Sequence, residues 1–462
     1  MDQPLLLQNG TGEEAGLPLG FDKKKTSLMG QSSMKGKLFF FICGAFALIF
    51  RLMVLIELTN SVVVEFSMVV GGEKRTTIMR MSLLDNHFGN TIHDMAASGA
   101  YATLILMVCG TAVIPLLRLV LVFACFVIKL HDHHHKWRAQ VLFVMDHVGR
   151  FILADHFLAA YSSIFFYMKK SFLEGEHVFH SLPHDIQMTM GSEYDAMFYL
   201  YLGSNILGSL VTHQLLVMSM GDAAVTDDKN PEERKTIFDR LPPKKEDGFL
   251  KSKYTLWFML LISLVGFIDL TVLNSHIVTF SLEGVAGLIS GAEPKRFTIW
   301  TALTGFYTSV VPVGDELKDK APILLGAAYG ITILLLPGLV MIGTFAFLTV
   351  PLKKSVQYRM LYAFPFWFSW CAVDVFLAVT LSLYFEMDVL ASFLFRNKYP
   401  QICEGLELTF RMPCTEVGTE YGRGILSLLA VVVGLVFVRS RLMHLLEQMT
   451  ESEIQQRLAL IM

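Results

Sequence analysis

Two aspartates inside apolar stretches are the residues of this chain best placed to do chemistry. Asp374 lies within the apolar segment 364–385, and Asp155 lies in a similar segment 219 residues earlier. The pentapeptides that begin at the two acids, Asp-Val-Phe-Leu-Ala and Asp-His-Phe-Leu-Ala, differ only at His156. Because a carboxylate in hydrocarbon is unfavourable, such residues normally face a bundle interior or a wet cavity. The pair therefore predicts a transport-related or other functional site, with His156 beside one of its acids.

The cation available to each aspartate differs between the two segments. Arg118 follows Pro115 by three residues, and we predict that it pairs with Asp155. No arginine stands at the matching place after Pro337, so Asp374 needs another partner, a water or a proton. Desolvation favours the neutral form of a carboxyl group that has no cation, a property that proton-coupled carriers use. The alternative is that Asp374 hydrogen-bonds its neighbours and only holds helices together.

Other reactive residues point away from an enzyme. The chain has no glycine-rich phosphate loop with lysine, no zinc-protease helix and no nucleophile elbow. The histidine-rich run at 131–135 has the composition of a metal site, but it lies in a short turn and has no cysteine partner. We interpret it as a solvated turn, and we predict no enzymatic activity, no cofactor and no metal.

The cysteines divide into two groups. Cys403 and Cys414 share the last loop that we place outside the cytosol, where oxidising conditions favour a disulfide between them. Two unpaired loop thiols are the alternative. The remaining four lie in apolar segments, where a free thiol behaves as a small apolar side chain. They are Cys43, Cys109, Cys125 and Cys371.

The composition defines the class of protein. Of 462 residues 53% are hydrophobic and only 17% are charged, whereas soluble domains carry about 25% charged residues. Apolar runs of membrane-spanning length recur, which indicates an all-α multi-pass membrane protein and gives no sign of nucleic-acid binding. An even number of spans and the distribution of Lys and Arg place both termini in the cytosol. The membrane itself stays open between plasma membrane and endomembrane, such as vacuole or endosome. The eight predicted spans are 37–58, 98–130, 140–168, 197–220, 254–275, 321–350, 360–385 and 424–440.

Internal repetition divides the chain into two parts. Short matches recur in the same order at offsets of 214, 221, 222 and 219 residues, the third being Pro115 with Pro337. We therefore predict two tandem tetraspan modules, each with a small extracytoplasmic β-containing domain formed by its alternating loop. The predicted organisation is a disordered cytosolic tail (1–36), the first module (37–220), a cytosolic linker (221–253), the second module (254–440) and a cytosolic C-terminal helix (441–462).

The ordered motifs resemble the paraquat-inducible protein A family, which includes the lipophilic envelope-spanning tunnel protein A. The first copy carries Val-Ile-Pro-Leu-Leu-Arg-Leu at 113–119 and Gly-Arg-Phe-Ile-Leu-Ala-Asp-His-Phe at 149–157. The second carries Leu-Leu-Pro at 335–337 and a tryptophan-rich run into Asp-Val-Phe at 366–376. The resemblance implies movement of lipids or lipophilic molecules, with an extracytoplasmic lipid-binding partner protein. Unlike many bacterial members, this chain has no cysteine-rich zinc ribbon.

The sequence thus predicts a transporter-like integral membrane protein that acts on membrane lipids or other lipophilic molecules. Asp155 or Asp374 would serve as a protonatable switch beside helices kinked at Pro115 and Pro337. The alternative is a non-transporting tetraspan scaffold or auxiliary membrane subunit that docks a partner through its outer domains.

Overall fold

The computed structural model of this chain is mostly helical. Its described residues are 34–56, 60–70, 74–85, 88–128, 141–142, 144–145, 148–154, 157–158, 168–172, 186–194, 197–220, 234–236, 253–285, 287, 293–308, 316–398 and 400–461. We call 34–220 the first half and 253–461 the second half. Residues 1–33 of the predicted tail 1–36 lie outside the described residues.

The helices are labelled in chain order. In the first half they are α1 (Met34–Ile56), α2 (Phe88–Ser98), α3 (Tyr101–Val108), α4 (Ile114–Val127) and α5 (Met197–Met220). In the second half they are α6 (Lys253–Thr271), α7 (Ile299–Thr308), α8 (Glu316–Tyr329), α9 (Leu336–Thr349), α10 (Lys354–Trp370), α11 (Val373–Lys398), α12 (Pro400–Phe410) and α13 (Gly424–Ile461). The described residues also include two π-helices, Cys109–Val113 and Gly330–Leu335, and one 3₁₀ helix, Gly149–Leu153.

Within the described residues, six helical segments are long and apolar enough to cross a membrane. They are Met34–Ile56, Tyr101–Val127, Tyr254–Thr271, Lys320–Thr349, Phe366–Phe393 and Gly424–Leu442. Each overlaps one of the eight predicted spans. The predicted span 197–220 is helical as α5 but falls outside this set, and most of the predicted span 140–168 lies outside the described residues. The chain is therefore a multi-pass helical protein of membrane-spanning character.

The described residues form three antiparallel sheets, and the two larger ones lie at one end of the bundle, which we call the sheet end. The strands are β1 (Asn60–Val70), β2 (Lys74–Asp85), β3 (Met168–Phe172), β4 (Ile186–Tyr194), β5 (Arg234–Lys235), β6 (Val278–Glu283), β7 (Lys295–Phe297), β8 (Leu352–Lys353) and β9 (Glu416–Tyr421). The first sheet has the order β2-β1-β4-β3 and the second has β7-β6-β9. In the first sheet β1, which follows α1, lies between β2 and β4, and β4 precedes α5. In the second sheet β6, which follows α6, lies between β7 and β9, and β9 precedes α13. The predicted β-containing loops are thus strands.

The helices of the two halves also correspond. In each half the first and last helices pack together, α1 with α5 and α6 with α13. Each half has a long helix with one π-helical turn, and a proline follows as the second residue of the next α-helical part, Pro115 in α4 and Pro337 in α9. A proline has no N–H to donate, so a locally wider turn accommodates it.

The secondary structure described in the linker 221–253 differs from the prediction, whereas that described in the C-terminal segment 441–462 agrees with it. The charged linker sequence also predicts a short helix over 231–240, and this prediction is wrong at residues 234 and 235, because these two form β5 and pair with β8 before α10. A short strand satisfies backbone groups in a Pro-rich and charged segment that offers little apolar surface for a helix to bury. The C-terminal segment from 441 is helical, as predicted, and it continues α13 without a break to Ile461.

Two glycines allow α6 and α13 to approach closely. A Cβ on Gly266 would lie 2.7 Å from the Ser427 carbonyl oxygen, and one on Gly434 would lie 2.8 Å from the Met259 carbonyl oxygen. Backbone oxygens cannot rotate away, so both positions need hydrogen in place of a side chain. Small residues at such crossings are the usual means of close helix packing in membranes.

Substitution of Gly434 with alanine is therefore expected to separate α6 from α13 and to destabilise the protein by about 1–3 kcal/mol. The matched control is Gly44→Ala in α1, where a Cβ meets nothing within 4 Å. Helix propensity alone would make both changes neutral or stabilising, since alanine is the better helix former. The midpoint of thermal unfolding in detergent should fall for Gly434→Ala only, and equal midpoints for both variants would contradict the packing argument.

The predicted disulfide between Cys403 and Cys414 is present. It ties Cys403 in the first turn of α12 to Cys414, which lies two residues before β9, the strand that precedes α13. Beside it, Glu407 accepts hydrogen bonds from the Cys414 backbone N–H at 3.0 Å and from Arg396 at 2.9 Å. These two donors hold the pKa of Glu407 below its usual range. The loop is thus fastened at the sheet end by one covalent and two polar contacts.

Candidate functional site

The span that carries Asp374 is interrupted. Helix α10 ends at Trp370, Cys371 and Ala372 are not helical, and α11 begins at Val373. Asp374 therefore occupies the first turn of α11, eight residues after the start of the span Phe366–Phe393. The sequence predicted one continuous helix with the acid at its centre. The break instead places the carboxylate at a helix N-terminus, where the helix dipole favours a negative charge.

A carbonyl of the second π-helix supports the break. The Ala372 backbone N–H donates to the Thr332 carbonyl oxygen over 3.4 Å. In a π-helical register that oxygen would accept from the residue five positions on, which is Pro337, and proline has no N–H. The proline and the π-helical turn of one span thus leave an acceptor for the interrupted backbone of the next. Non-helical backbone within a membrane is tolerated where neighbouring protein satisfies it in this way.

Arg150 of the first half closes the site. Its Nη2 lies 2.8 Å from Asp374 Oδ2, and its Nη1 donates to the Cys371 carbonyl oxygen over 3.1 Å. The side chains of Arg150 and Asp374 are only 5% and 17% exposed. One guanidinium therefore binds the C-terminal end of α10 and the N-terminal end of α11 at once. This ion pair joins the two halves of the chain.

The 3₁₀ helix Gly149–Leu153 positions Arg150. A Cβ on Gly149 would lie 2.6 Å from Nη1 of Arg118, and one on Gly110 would lie 2.7 Å from the Phe151 carbonyl oxygen. Both glycines therefore permit close packing of the 3₁₀ helix against the first π-helix and the neighbouring α4. Arg150 is in consequence held on a tightly packed element of the first half.

A narrow cleft borders the ion pair. Its lining residues are Arg150, Phe368, Cys371, Val373, Asp374, Val432, Leu435, Val436 and Arg439. Its free volume is about 10 Å³, the room that about one ordered water needs. Oδ1 of Asp374 is buried and accepts no hydrogen bond from the described residues, so a single water is the natural occupant of this space.

The other predicted site residues have varied outcomes. Arg118 is 2% exposed and donates to Thr212 over 2.7 Å and to Ser209 over 3.1 Å. Asp155 and His156 lie outside the described residues, so the predicted Arg118–Asp155 pair stays a prediction. Of the alternatives left open for Asp374, the structure contains another partner, Arg150.

Sequence reasoning missed two features of the buried arginines. It did not connect Arg150 with Asp374, and it gave no role to Arg439, which is 4% exposed in the cleft wall. Arg51 is fully buried, donates to Asn205 and lies 4.7 Å above the Tyr201 ring. The available signal was an arginine inside an apolar span, which is costly and so needs a specific partner.

Aromatic packing next to the site also joins the halves. The rings of Phe157, Tyr329 and Phe376 contact one another edge-to-face, with centroids 5.6–5.9 Å apart. Phe157 belongs to the first half and the other two to the second. Such pairs add to the free energy of area burial. Since Phe376 follows Asp374 on α11, the same helix turn carries both the ionic and the apolar contact.

Two further polar residues have structural roles. Asp269 accepts from Ser427 at 2.5 Å and from Ser275 at 2.8 Å, which links α6 to α13 at the sheet end. The His213 ring packs 4.6 Å from that of Phe366 across the two halves. Contacts of this kind hold membrane helices together.

Among the described residues no group of three or more His, Cys, Asp or Glu could hold a metal ion. The histidine-rich run 131–135 lies outside them. Comparison of the chain with protein-family models, curated proteins and solved structures gives no match. The function of the chain is therefore inferred from the geometry of the site itself.

Proposed function

We propose that this chain is a transporter-like integral membrane protein that moves lipids or other lipophilic molecules, with Asp374 as a proton-linked switch. One observation carries the proposal. The buried Arg150–Asp374 pair spans a helix break and borders a cleft between α10, α11 and α13. Broken helices whose ends meet charged groups are a recurrent design of membrane transporters.

The chemistry of the switch is a single proton transfer. When the Asp374 carboxylate takes up a proton it becomes neutral, and its attraction to the Arg150 guanidinium falls to that of an ordinary hydrogen bond. Arg150 stays charged, because its guanidinium is protonated at every physiological pH. The ends of α10 and α11 can then move apart about the junction between Cys371 and Ala372. The Cys371 N–H belongs to α10, where it donates to the Trp367 carbonyl oxygen, and the Ala372 carbonyl oxygen belongs to α11, where it accepts from the Phe376 N–H. Loss of the proton restores the pair.

In this proposal the two halves are copies of one tetraspan unit. The shared strand order, the paired first and last helices and the π-helix-plus-proline arrangement support it. They also agree with the resemblance to the paraquat-inducible protein A family, which brings in an extracytoplasmic lipid-binding protein as partner. The sheet end, carrying both sheets and the disulfide, is the surface that such a partner would contact, and both termini would be cytosolic.

Asp374→Asn is expected to abolish the dependence of lipid movement on a pH gradient while the protein still folds. Asn keeps the shape and a hydrogen-bond acceptor for Arg150 but cannot cycle a proton. Transfer of a fluorescent lipid between leaflets of proteoliposomes, with and without a pH gradient, measures the effect. Glu404→Gln on the exposed side of α12 is the control. Gradient-dependent transfer that survives in Asp374→Asn would remove the proposed role.

The second candidate is a non-transporting scaffold that docks a partner through its sheets. The specific observation in its favour is the small cleft, which has room for about one water beside the Arg150–Asp374 ion pair. A scaffold would show no lipid transfer in the wild type, and lipids that copurify with it would match the bulk membrane. Asp374→Asn would then lower the folding yield and change nothing else.

A further inference from the structure

The cleft beside Asp374 combines charges with an apolar wall. Two guanidinium groups, from Arg150 and Arg439, and one carboxylate line its polar end. Helix α13 supplies the apolar residues Val432, Leu435 and Val436, on the same face as its Arg439.

This wall continues onto the outer face of the bundle. Val436 is 44% exposed and Val433, on the same face of α13, is 50% exposed. Because this part of α13 belongs to a membrane-spanning segment, that face meets lipid. The cleft thus opens sideways, toward acyl chains.

The Arg439 end of the cleft lies at the depth of a lipid headgroup region. Arg439 lies three residues before the end of the span Gly424–Leu442, at the end of the bundle opposite the sheets. At 1.5 Å per residue its Cα is about 5 Å inside that boundary, within reach of headgroup level for a long side chain.

From these placements we infer that the cleft binds the anionic headgroup of a membrane amphiphile through Arg439 and Arg150, in exchange for the Asp374 carboxylate. The inference depends on the proposed function and specifies its substrate class. The headgroup chemistry is a phosphate or carboxylate, which matches the planar guanidinium fork. A free anion would not need the apolar wall or its lateral opening, whereas an amphiphile places its chain along Val432 and Val436.

Exchange at Arg150 links headgroup binding to a proton. The described groups that face Asp374 are Arg150 from the 3₁₀ helix, Arg439 from α13 and the Cys371 thiol at the end of α10. A deprotonated Asp374 competes with the headgroup for the guanidinium groups and repels it. A protonated Asp374 neither competes with the headgroup nor repels it. The cleft has room for about one water, so it can widen to admit a headgroup only after the Arg150–Asp374 ion pair has separated. Anionic amphiphiles should therefore bind more tightly as the pH falls.

The test is binding of phosphatidylglycerol and phosphatidylcholine to the full-length protein in neutral detergent, followed by native mass spectrometry at pH 7.5 and 5.5. Phosphatidylglycerol should bind about tenfold more tightly than phosphatidylcholine, as expected for one extra charge-assisted hydrogen bond of about 1.4 kcal/mol or more. The preference should increase at pH 5.5. Asp374→Asn should bind phosphatidylglycerol equally at both pH values.

Arg439→Gln should lower phosphatidylglycerol affinity about tenfold and leave phosphatidylcholine unchanged. Arg439→Lys, which keeps the charge, should retain the preference and covers the case in which Arg439→Gln fails to fold. Arg441→Gln is the matched control, since Arg441 lies two residues further along α13 and does not line the cleft. An equal loss in Arg441→Gln would overturn the assignment to this cleft.

Three further outcomes would overturn the inference. Equal binding of the two lipids by the wild type would remove the headgroup preference, and displacement of phosphatidylglycerol by millimolar inorganic phosphate would indicate a site for small anions. An affinity that does not change with pH would remove the exchange with Asp374. Gradient-dependent lipid transfer without a headgroup preference would leave the proposed function intact. The absence of both lipid binding and lipid transfer would contradict the proposed function and the headgroup inference alike.

Discussion

Replacement of Arg150 with methionine is expected to destabilise the folded protein by about 3–5 kcal/mol. The reason is that Asp374 would keep a buried carboxylate while losing the guanidinium that lies 2.8 Å away. Methionine preserves most of the apolar stem of the side chain, so lost packing contributes little. The same change also removes the donor to the Cys371 carbonyl oxygen, at the break between α10 and α11.

The double variant Arg150→Met with Asp374→Leu separates structure from function. When both partners of a buried ion pair become apolar side chains of similar volume, the protein often regains its stability. We therefore expect the double variant to unfold at a higher temperature than Arg150→Met alone, although it has no protonatable group left. Under the proposed function it should show no gradient-dependent lipid transfer.

Thermal unfolding in detergent and lipid transfer in proteoliposomes measure these two effects. Arg296→Met on the exposed face of β7 is the control for loss of an arginine as such. A double variant that folds well and still transfers lipid with a pH gradient would show that the ion pair is structural only. If the stability losses of the single variants Arg150→Met and Asp374→Leu simply add up to that of the double variant, Arg150 and Asp374 do not interact.

The general architecture could be read from the sequence because it depends on local pattern. Apolar runs indicated the spans, alternating residues around Val62 and Ile277 indicated strands, and two cysteines in one loop indicated the disulfide. These signals need no knowledge of tertiary contacts. The repeat around Pro115 and Pro337 likewise matched corresponding elements in the structure.

The site could be predicted only in part, since its geometry depends on contacts between distant segments. An apolar run looks the same whether its helix is continuous or interrupted at Cys371, because the break depends on an acceptor at Thr332 in another span. Asp374 was recognised from its cost in hydrocarbon. Its partner was not, since Arg150 lies 224 residues away and in the other half of the repeat. A search for cations within each half could not find a pair that crosses them.

Glu386 makes a second polar contact between the halves, at the sheet end. Helix α2 ends at Ser98, Gly99 with a φ of 86° reverses the chain, and α3 begins at Tyr101. The first N–H groups of a helix have no acceptor within it. Here Glu386 of α11 supplies both carboxylate oxygens, one to Ala102 N–H at 2.6 Å and one to Thr103 N–H at 2.7 Å. The carboxylate thus caps a helix of the other half.

Glu386→Gln should destabilise the protein by about 1–3 kcal/mol, because an amide offers one acceptor and turns its NH₂ group toward the second backbone donor. The helix dipole adds to the loss, since the favourable negative charge at the start of α3 is removed. Glu404→Gln, on the exposed side of α12, is the matched control. Thermal unfolding reports the loss, and hydrogen exchange locates it: exchange at Ala102 and Thr103 should accelerate in Glu386→Gln only. Unchanged exchange there would mean that the cap contributes nothing to the contact between the halves.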